Sequence, residues 1–211
     1  MMMHLAAGLR PVVSIGALWF DGLTVLEREP RLDALMAEAE RRVQTDPTDE
    51  TAAVRRMYRR IGLDPTRNRP SSEALARRVR RGGSLPRVNS LVDVSNWCSL
   101  ELGIPYGLYD ADRLRGDIEV RLGRPDEEYA GIRKDVVHVE GRMTLADAEG
   151  PFGNPTSDSA RAMVTIGTSR AVAVIFMPRD IAPGRLGRAL EVTAARVTEI
   201  CGGREIERLS L

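Results

Sequence analysis

Arg87-Val-Asn-Ser-Leu-Val-Asp-Val-Ser-Asn-Trp97, then Leu100-Glu-Leu-Gly-Ile-Pro105, then Tyr109-Asp-Ala-Asp-Arg-Leu-Arg-Gly-Asp-Ile118, is the stretch that decides the fold. Asn89 or Ser90 caps a helix that runs to about Leu102, Gly103 supplies its left-handed stop, and Pro105 forbids continuation. Beyond it the texture changes to short strands and turns. Ile118–Leu122 alternates with charged neighbours, Val136 to Val139 reads as a strand, and Val164–Ile166 and Ala171–Met177 flank Gly167-Thr168 as a hairpin does. Upstream, Pro11–Phe20 is a β-branched, apolar first strand. From Arg31 to Val43, Leu32, Leu35, Met36, Ala39 and Val43 fall on one helical face, and Asp46-Pro47 stops that helix. Thr48 or Asp49 caps the next, which turns Ala53, Met57 and Ile61 inward and ends at Gly62. Asp64 to Pro70 is a polar connector, after which Ser71 or Ser72 caps a short basic helix to Arg81, closed by Gly82-Gly83. Pro183–Cys201 is a final amphipathic helix with Leu186, Leu190, Val197 and Ile200 facing in. Helices first and strands later predict an α+β fold rather than alternating βαβ units. Residues 1–70 are expected to add a strand and helices integral to one domain, and 71–211 to form its core with the C-terminal helix. One mixed sheet is expected to include Ile118–Leu122 and Ala171–Met177.

The chain has 211 residues, 43% hydrophobic and 29% charged, ordinary globular usage that excludes wholesale disorder. A chain of this length buries roughly 70% of its unfolded surface and needs no disulfide or metal to fold. No apolar run approaches membrane-spanning length, the N-terminus lacks a signal-peptide pattern, and Cys98 and Cys201 read as buried thiols of a cytoplasmic protein. Net charge is +1, so no global field demands an anionic partner. The distribution is less even: eleven arginines lie between Arg55 and Arg87, against Asp64 and Glu73. Such a segment can follow a phosphate backbone, with Arg77, Arg78, Arg80 and Arg81 as its densest part. It can equally be a solvated face, because Lys134 is the only lysine and the chain uses arginine where others use lysine.

Inventory excludes several chemistries. With only His4, in a terminus expected to fray, and His138, in a strand pattern, a Ser-His-Asp triad or a His-rich metal centre is not expected. No phosphate-binding loop or dinucleotide fingerprint is present, and no cofactor is called for. Aromatic residues at 4% offer little for a base-stacking platform. Two polar clusters remain. One is Val92 to Asn96 with Gly103 to Gly107; the other, Gly153 to Ser159, packs Asn154, Thr156, Ser157, Asp158 and Ser159 together. The second can surround a polar ligand or place a water, or it can be a turn whose side chains satisfy local backbone groups.

The three quoted segments resemble the B3/B4 domain of the bacterial phenylalanyl-tRNA synthetase β-subunit, which hydrolyses tyrosine wrongly attached to tRNA. The similarity covers roughly Ser71 to Met177, and the whole chain resembles the freestanding single-domain relatives of that module. It implies a mixed sheet with packed helices, tRNA or aminoacyl-tRNA as partner, and no ligase activity. By position, Ser95 and Asn96 match the Thr-Asn pair lining the family's editing pocket. Gly107 stands where the family has its pocket histidine, Val174 where it has its pocket glutamate, and the Asn154–Ser159 loop replaces a glycine-rich segment. A site lacking both polar groups is not expected to select tyrosine over phenylalanine. Two functions stay open. One is hydrolysis of an aminoacyl ester in trans, with Asp158 or Glu140 as base or counter-charge. The other is a relative without editing that binds or transforms an amino-acid-like small molecule, or binds RNA. Either way a single cleft is expected, bounded by Asn96, Tyr106, Glu140, Thr156 and Asp158, with Ser95, Asn154, Ser157 and Ser159 contributing and Gly107 leaving open space.

Overall fold

The computed structural model describes residues 1–45, 50–132 and 136–211. Among these, two sheets carry the architecture. Strands β1 (Met3–Leu5), β4 (Ile118–Leu122), β7 (Met143–Asp147), β8 (Gly150–Asn154) and β9 (Ser157–Asp158) form one, in that order. Strands β11 (Arg204–Ser210), β2 (Val13–Asp21), β10 (Ala171–Pro178) and β3 (Tyr106–Asp110) form the other, in that order. A short hairpin, β5 (Glu128–Tyr129) with β6 (Val137–His138), stands apart. The helices are α1 (Arg31–Thr45), α2 (Thr51–Arg60), α3 (Ser71–Arg80), α4 (Ser90–Leu102) and α5 (Arg185–Cys201). The α+β class is as expected. The single sheet is not: Ile118–Leu122 and Ala171–Met177 lie in different sheets, because β10 pairs on both sides, with β2 and β3. All eight residues of β10 are buried, which is why its sequence reads as an uninterrupted apolar run.

Local chemistry explains most boundaries. The Asn89 side chain accepts from the Val92 amide at 3.0 Å, and Gly103 closes α4 at φ 69°. Helix α3 starts differently from expectation. Its cap is Pro70, with no side-chain hydrogen bond, and the Ser71 amide instead donates to the Pro155 carbonyl at 3.1 Å. Val164–Ile166 is no strand. Both edges of β10 are taken, so the segment folds into a turn in which Thr168 Oγ1 accepts from the Thr165 amide and donates to Asp110 Oδ2. His4 is not frayed, because β1 pairs in parallel with β4. Asp46-Pro47, Thr48 and Asp49, the expected stop and cap, lie outside the described residues.

Helix α5 covers one face of the second sheet; Leu186 and Leu190 approach Gly16 so closely that a Cβ there would meet Leu186 at 2.7 Å. Tyr106 and Leu108 share one face of β3, with Gly107 and Tyr109 on the other. The Tyr106 hydroxyl donates to Thr193 Oγ1 on α5 at 2.9 Å. On the opposite face the Tyr109 ring meets Phe152 of β8 edge-on, centroids 4.9 Å apart, and joins the two sheets.

Candidate functional site

Helix α4 is buried nearly all round, yet one stripe opens to a cavity. Val92, Ser95, Asn96 and Ser99, at helical spacing, form one wall of a cleft of about 640 Å³. Ser71 and Leu75 of α3, Tyr106 and Leu108 of β3, and Asp158 of β9 form others. Val88, Ile132 and Met163 sit at it as exposed apolar residues. Walls of this kind, mostly apolar with a few polar groups, suit a small amphiphilic ligand.

The polar groups are few and differently committed. Ser99 Oγ donates to the Ile104 carbonyl, so it serves the helix stop. Ser95 Oγ and the Asn96 amide make no hydrogen bond among the described residues. They are the sixth and seventh residues of α4, so their backbone amides are used inside the helix and only their side chains are offered to the cleft. Asp158 Oδ1 accepts from Tyr109 Oη at 2.7 Å. Burial, and the Asp158 charge beside it, push the Tyr109 phenol well above its usual range, so it stays a donor at neutral pH. Ser71 Oγ is buried and has no hydrogen-bond partner among the described residues.

Of the residues singled out from sequence, Ser95, Asn96, Tyr106 and Asp158 meet at this cleft, Tyr106 through its ring. The others do not line it. Glu140 is exposed, because Val139 turns into a small cluster with Tyr129 and Val137 and the alternate residues His138 and Glu140 face solvent. Asn154 organises its own turn: its Oδ1 accepts from the amides of Thr156 and Ser157, and its Nδ2 donates to Tyr129 Oη. Thr156 Oγ1 bonds Tyr58 Oη on α2 at 3.0 Å, Ser159 Oγ accepts from the Ala162 amide, and the Ser157 carbonyl accepts from Tyr129 Oη. Asn154 Oδ1 and Ser159 Oγ are therefore spent on local turns, and Asn154 Nδ2 on Tyr129. Gly107 leaves no open space either. A Cβ there would fall 2.3 Å from Tyr109 Oη, and one at Gly153 2.2 Å, so the Tyr109 ring fills the gap between two glycines. Val174 is the cross-strand partner of Gly107 and is fully buried.

The arginines divide. Arg55 and Arg69 pair with Glu73, Arg56 with Asp180, Arg67 with Asp64, and Arg87 with Asp33 and Asp93. Arg77, Arg78, Arg80 and Arg81 are exposed at the C-terminal end of α3 and make no ion pair among the described residues. Sequence reasoning missed Ser71 as a cleft residue; its place before a helix marks it as a cap, and only tertiary structure reveals the opening beside it. It missed Ser99 too, although its spacing from Ser95 and Asn96 is visible in the sequence.

The family model described as B3/4 domain matches residues 53–202. The phenylalanine–tRNA ligase β-subunit of Bartonella henselae is 26% identical over 161 residues, 64% of this chain and 20% of that protein. The same subunit of Paramagnetospirillum magneticum is 25% identical over 95% of this chain and 28% of its own length. That of Xylella fastidiosa is 47% identical over 92 residues, 43% of this chain and 11% of that protein. The chain thus spans less than a third of the length of these relatives. Among solved structures, an N-terminal fragment of the phenylalanyl-tRNA synthetase β-subunit from Pyrococcus horikoshii covers 99% of this chain with a TM-score of 0.51, at 14% identity and over 53% of its own length, a likeness of fold.

Proposed function

The chain belongs to the B3/4 domain family, and from that premise we propose that it takes the aminoacyl end of an aminoacyl-tRNA into the α3–α4 cleft and hydrolyses the ester in trans. The observation that carries this reading is a cleft with apolar walls which, among the described residues, is lined by one carboxylate, Asp158, and by the side chains of Ser95 and Asn96, which make no hydrogen bond among those residues. An aminoacyl ester has matching parts: an apolar side chain, an ammonium and a carbonyl. Asp158 receives the ammonium, with Tyr109 fixing its rotamer. Ser95 and Asn96 hold the attacking water against the acyl carbon, a positioning role that needs no histidine. Buried Val174 supplies no polar group, and beside Gly107 the Tyr109 hydroxyl is already spent on Asp158, so neither position is set up to single out a tyrosine hydroxyl and apolar amino acids are the expected side chains. Release of amino acid from a panel of aminoacyl-tRNAs tests the reading. Turnover of one or more esters with small or apolar side chains is expected; a chain that neither binds nor hydrolyses any aminoacyl ester would sink it.

The same reading gives α3 a second task. Its first turn faces the cleft and its last carries Arg77, Arg78 and Arg80, with Arg81 just beyond; the helix rises about 9 Å from Ser71 to Arg77 and about 14 Å to Arg80. The RNA strand leaving the cleft runs along this helix. Replacing all four arginines with alanine is expected to weaken tRNA binding and to flatten its salt dependence by about 0.7 log unit per lost phosphate contact. Unchanged affinity and slope would reduce the arginines to a solvated helix end.

A further inference from the structure

We infer that Tyr58, Tyr109 and Tyr129 act together as positioning residues, whose hydroxyls hold Asp158 at the cleft from three sides. The inference rests on the cleft reading above, in which Asp158 receives the ammonium, and adds the groups that keep that carboxylate in place. Three of the chain's four tyrosines set their hydroxyls on three consecutive residues. Tyr58 Oη of α2 bonds Thr156 Oγ1 at 3.0 Å, Tyr129 Oη of β5 donates to the Ser157 carbonyl at 2.6 Å, and Tyr109 Oη of β3 donates to Asp158 Oδ1 at 2.7 Å. All three side chains are buried. Burial pushes each phenol above its usual range, so each stays protonated at neutral pH.

The need for such holding follows from where Asp158 sits. Its strand, β9, is two residues long and comes last in its sheet, paired with β8 through Gly153 and Asn154. The turn before it takes its shape from Asn154 Oδ1, but bonds inside a turn do not fix that turn against the rest of the molecule. The tyrosines do, because they come from a helix and two strands outside it. Space is cleared for one of them. Gly153 faces Asp158 across the β8–β9 pairing, and a Cβ there would fall 2.2 Å from Tyr109 Oη, so a methyl group at 153 would displace the phenol. Tyr129 Oη also accepts from Asn154 Nδ2, which ties the turn at a second point. A carboxylate that must meet an ammonium in one geometry gains from supporting hydrogen bonds that lock its place. A phenol supplies such a bond from a ring that packing already fixes. The hydroxyls therefore act on how well the cleft tells an amine from an uncharged group, and not on stability alone.

The test is calorimetric titration of Tyr58→Phe, Tyr109→Phe and Tyr129→Phe proteins with matched amides of 3′-amino-3′-deoxyadenosine. One member of each pair is α-amino and the other α-hydroxy, and the pairs carry the side chains of alanine, leucine and phenylalanine. Each replacement keeps the ring and removes one hydroxyl, and thermal melting shows how much stability that hydroxyl supplied. The measured quantity is the ratio of the two affinities. Loss of packing weakens both members of a pair alike and leaves the ratio unchanged, whereas displacement of Asp158 weakens the amine alone. Each single replacement is expected to lower the preference for the amine about two- to tenfold, the span of a typical hydrogen bond, and the triple replacement by more. Should the triple protein fail to fold, the three single ratios decide. A ratio unchanged at Tyr58 or Tyr129 would strike that residue from the set. Unchanged ratios at all three, with Asp158→Asn still losing its preference, would overturn the inference and leave the ammonium site standing. A wild-type chain with no preference for the amine would overturn both.

Discussion

Asp158→Asn is expected to weaken binding of a ligand carrying an α-amino group ten- to hundredfold. The magnitude follows from a hydrogen bond to a charged partner, about 1.5–3 kcal/mol. Asparagine is the informative replacement because Oδ1 of Asp158 has a second duty, accepting from Tyr109 Oη at 2.7 Å. Alanine would leave that buried phenol without its acceptor, at a further cost of about 1–3 kcal/mol, and a loss of binding could then reflect disorder. An amide oxygen still accepts from Tyr109, so the asparagine protein removes the charge while keeping that hydrogen bond. The measurement is calorimetric titration with two nonhydrolysable aminoacyl analogues, one with the amino group and one with hydroxyl in its place. Wild type should prefer the amine and the variant should lose that preference. Equal affinity of both proteins for the amine would remove Asp158 from the site.

The parts of this fold written locally were legible. Helix α4 announces itself through the Asn89 cap and the Gly103 stop, and β10 through an unbroken apolar run that only a doubly covered strand can carry. What could not be read is pairing. Ile118–Leu122 and Ala171–Met177 both read as strands, and nothing in either states that they join different sheets; that is decided by β2 and β3 occupying both edges of β10. Strand β11 escaped notice because it is an edge strand. Its exposed Arg204, Glu207 and Arg208 hide the period of two, and such charges are what keep an open edge from pairing with other chains.

The site was legible to the extent that its residues share an element. Ser95 and Asn96 line one cleft together because a helix fixes direction at fixed spacing. The sequence of the Asn154–Ser159 loop reads equally as a ligand-binding loop or as a turn that satisfies local backbone groups, and the structure spends Asn154 Oδ1 and Ser159 Oγ on turns while Asp158 lines the cleft. Short polar side chains near turns have two outlets, backbone and ligand, and composition does not distinguish them. Glu140 failed for a simpler reason, the alternation about buried Val139 that sends it outward.

Arg87→Ala is expected to cost about 3–5 kcal/mol of stability, a large share of the roughly 5–15 kcal/mol typical of a folded domain. Arg87 belongs to the basic segment that could have followed a phosphate backbone, but the fold uses it internally. Its Nε donates to Asp93 Oδ2 at 2.6 Å, its Nη1 pairs with Asp33, and its Nη2 donates to the Glu29 carbonyl. Asp93 has no exposed surface, and its other oxygen accepts from the Val88 amide at 2.8 Å. Alanine at 87 therefore strands a buried carboxylate, and that penalty, more than the lost attraction, sets the size of the effect. Lysine would keep the charge but lose the planar fork that reaches Asp93, Asp33 and Glu29 together, so it should rescue only in part. Removing both partners should cost less than the two single changes summed, which a double-mutant cycle by denaturant unfolding measures. The same protein separates this role from an RNA contact. An arginine that meets phosphate would, when replaced, lower tRNA affinity in a chain of undiminished stability, and that outcome would contradict the ion pair's structural role.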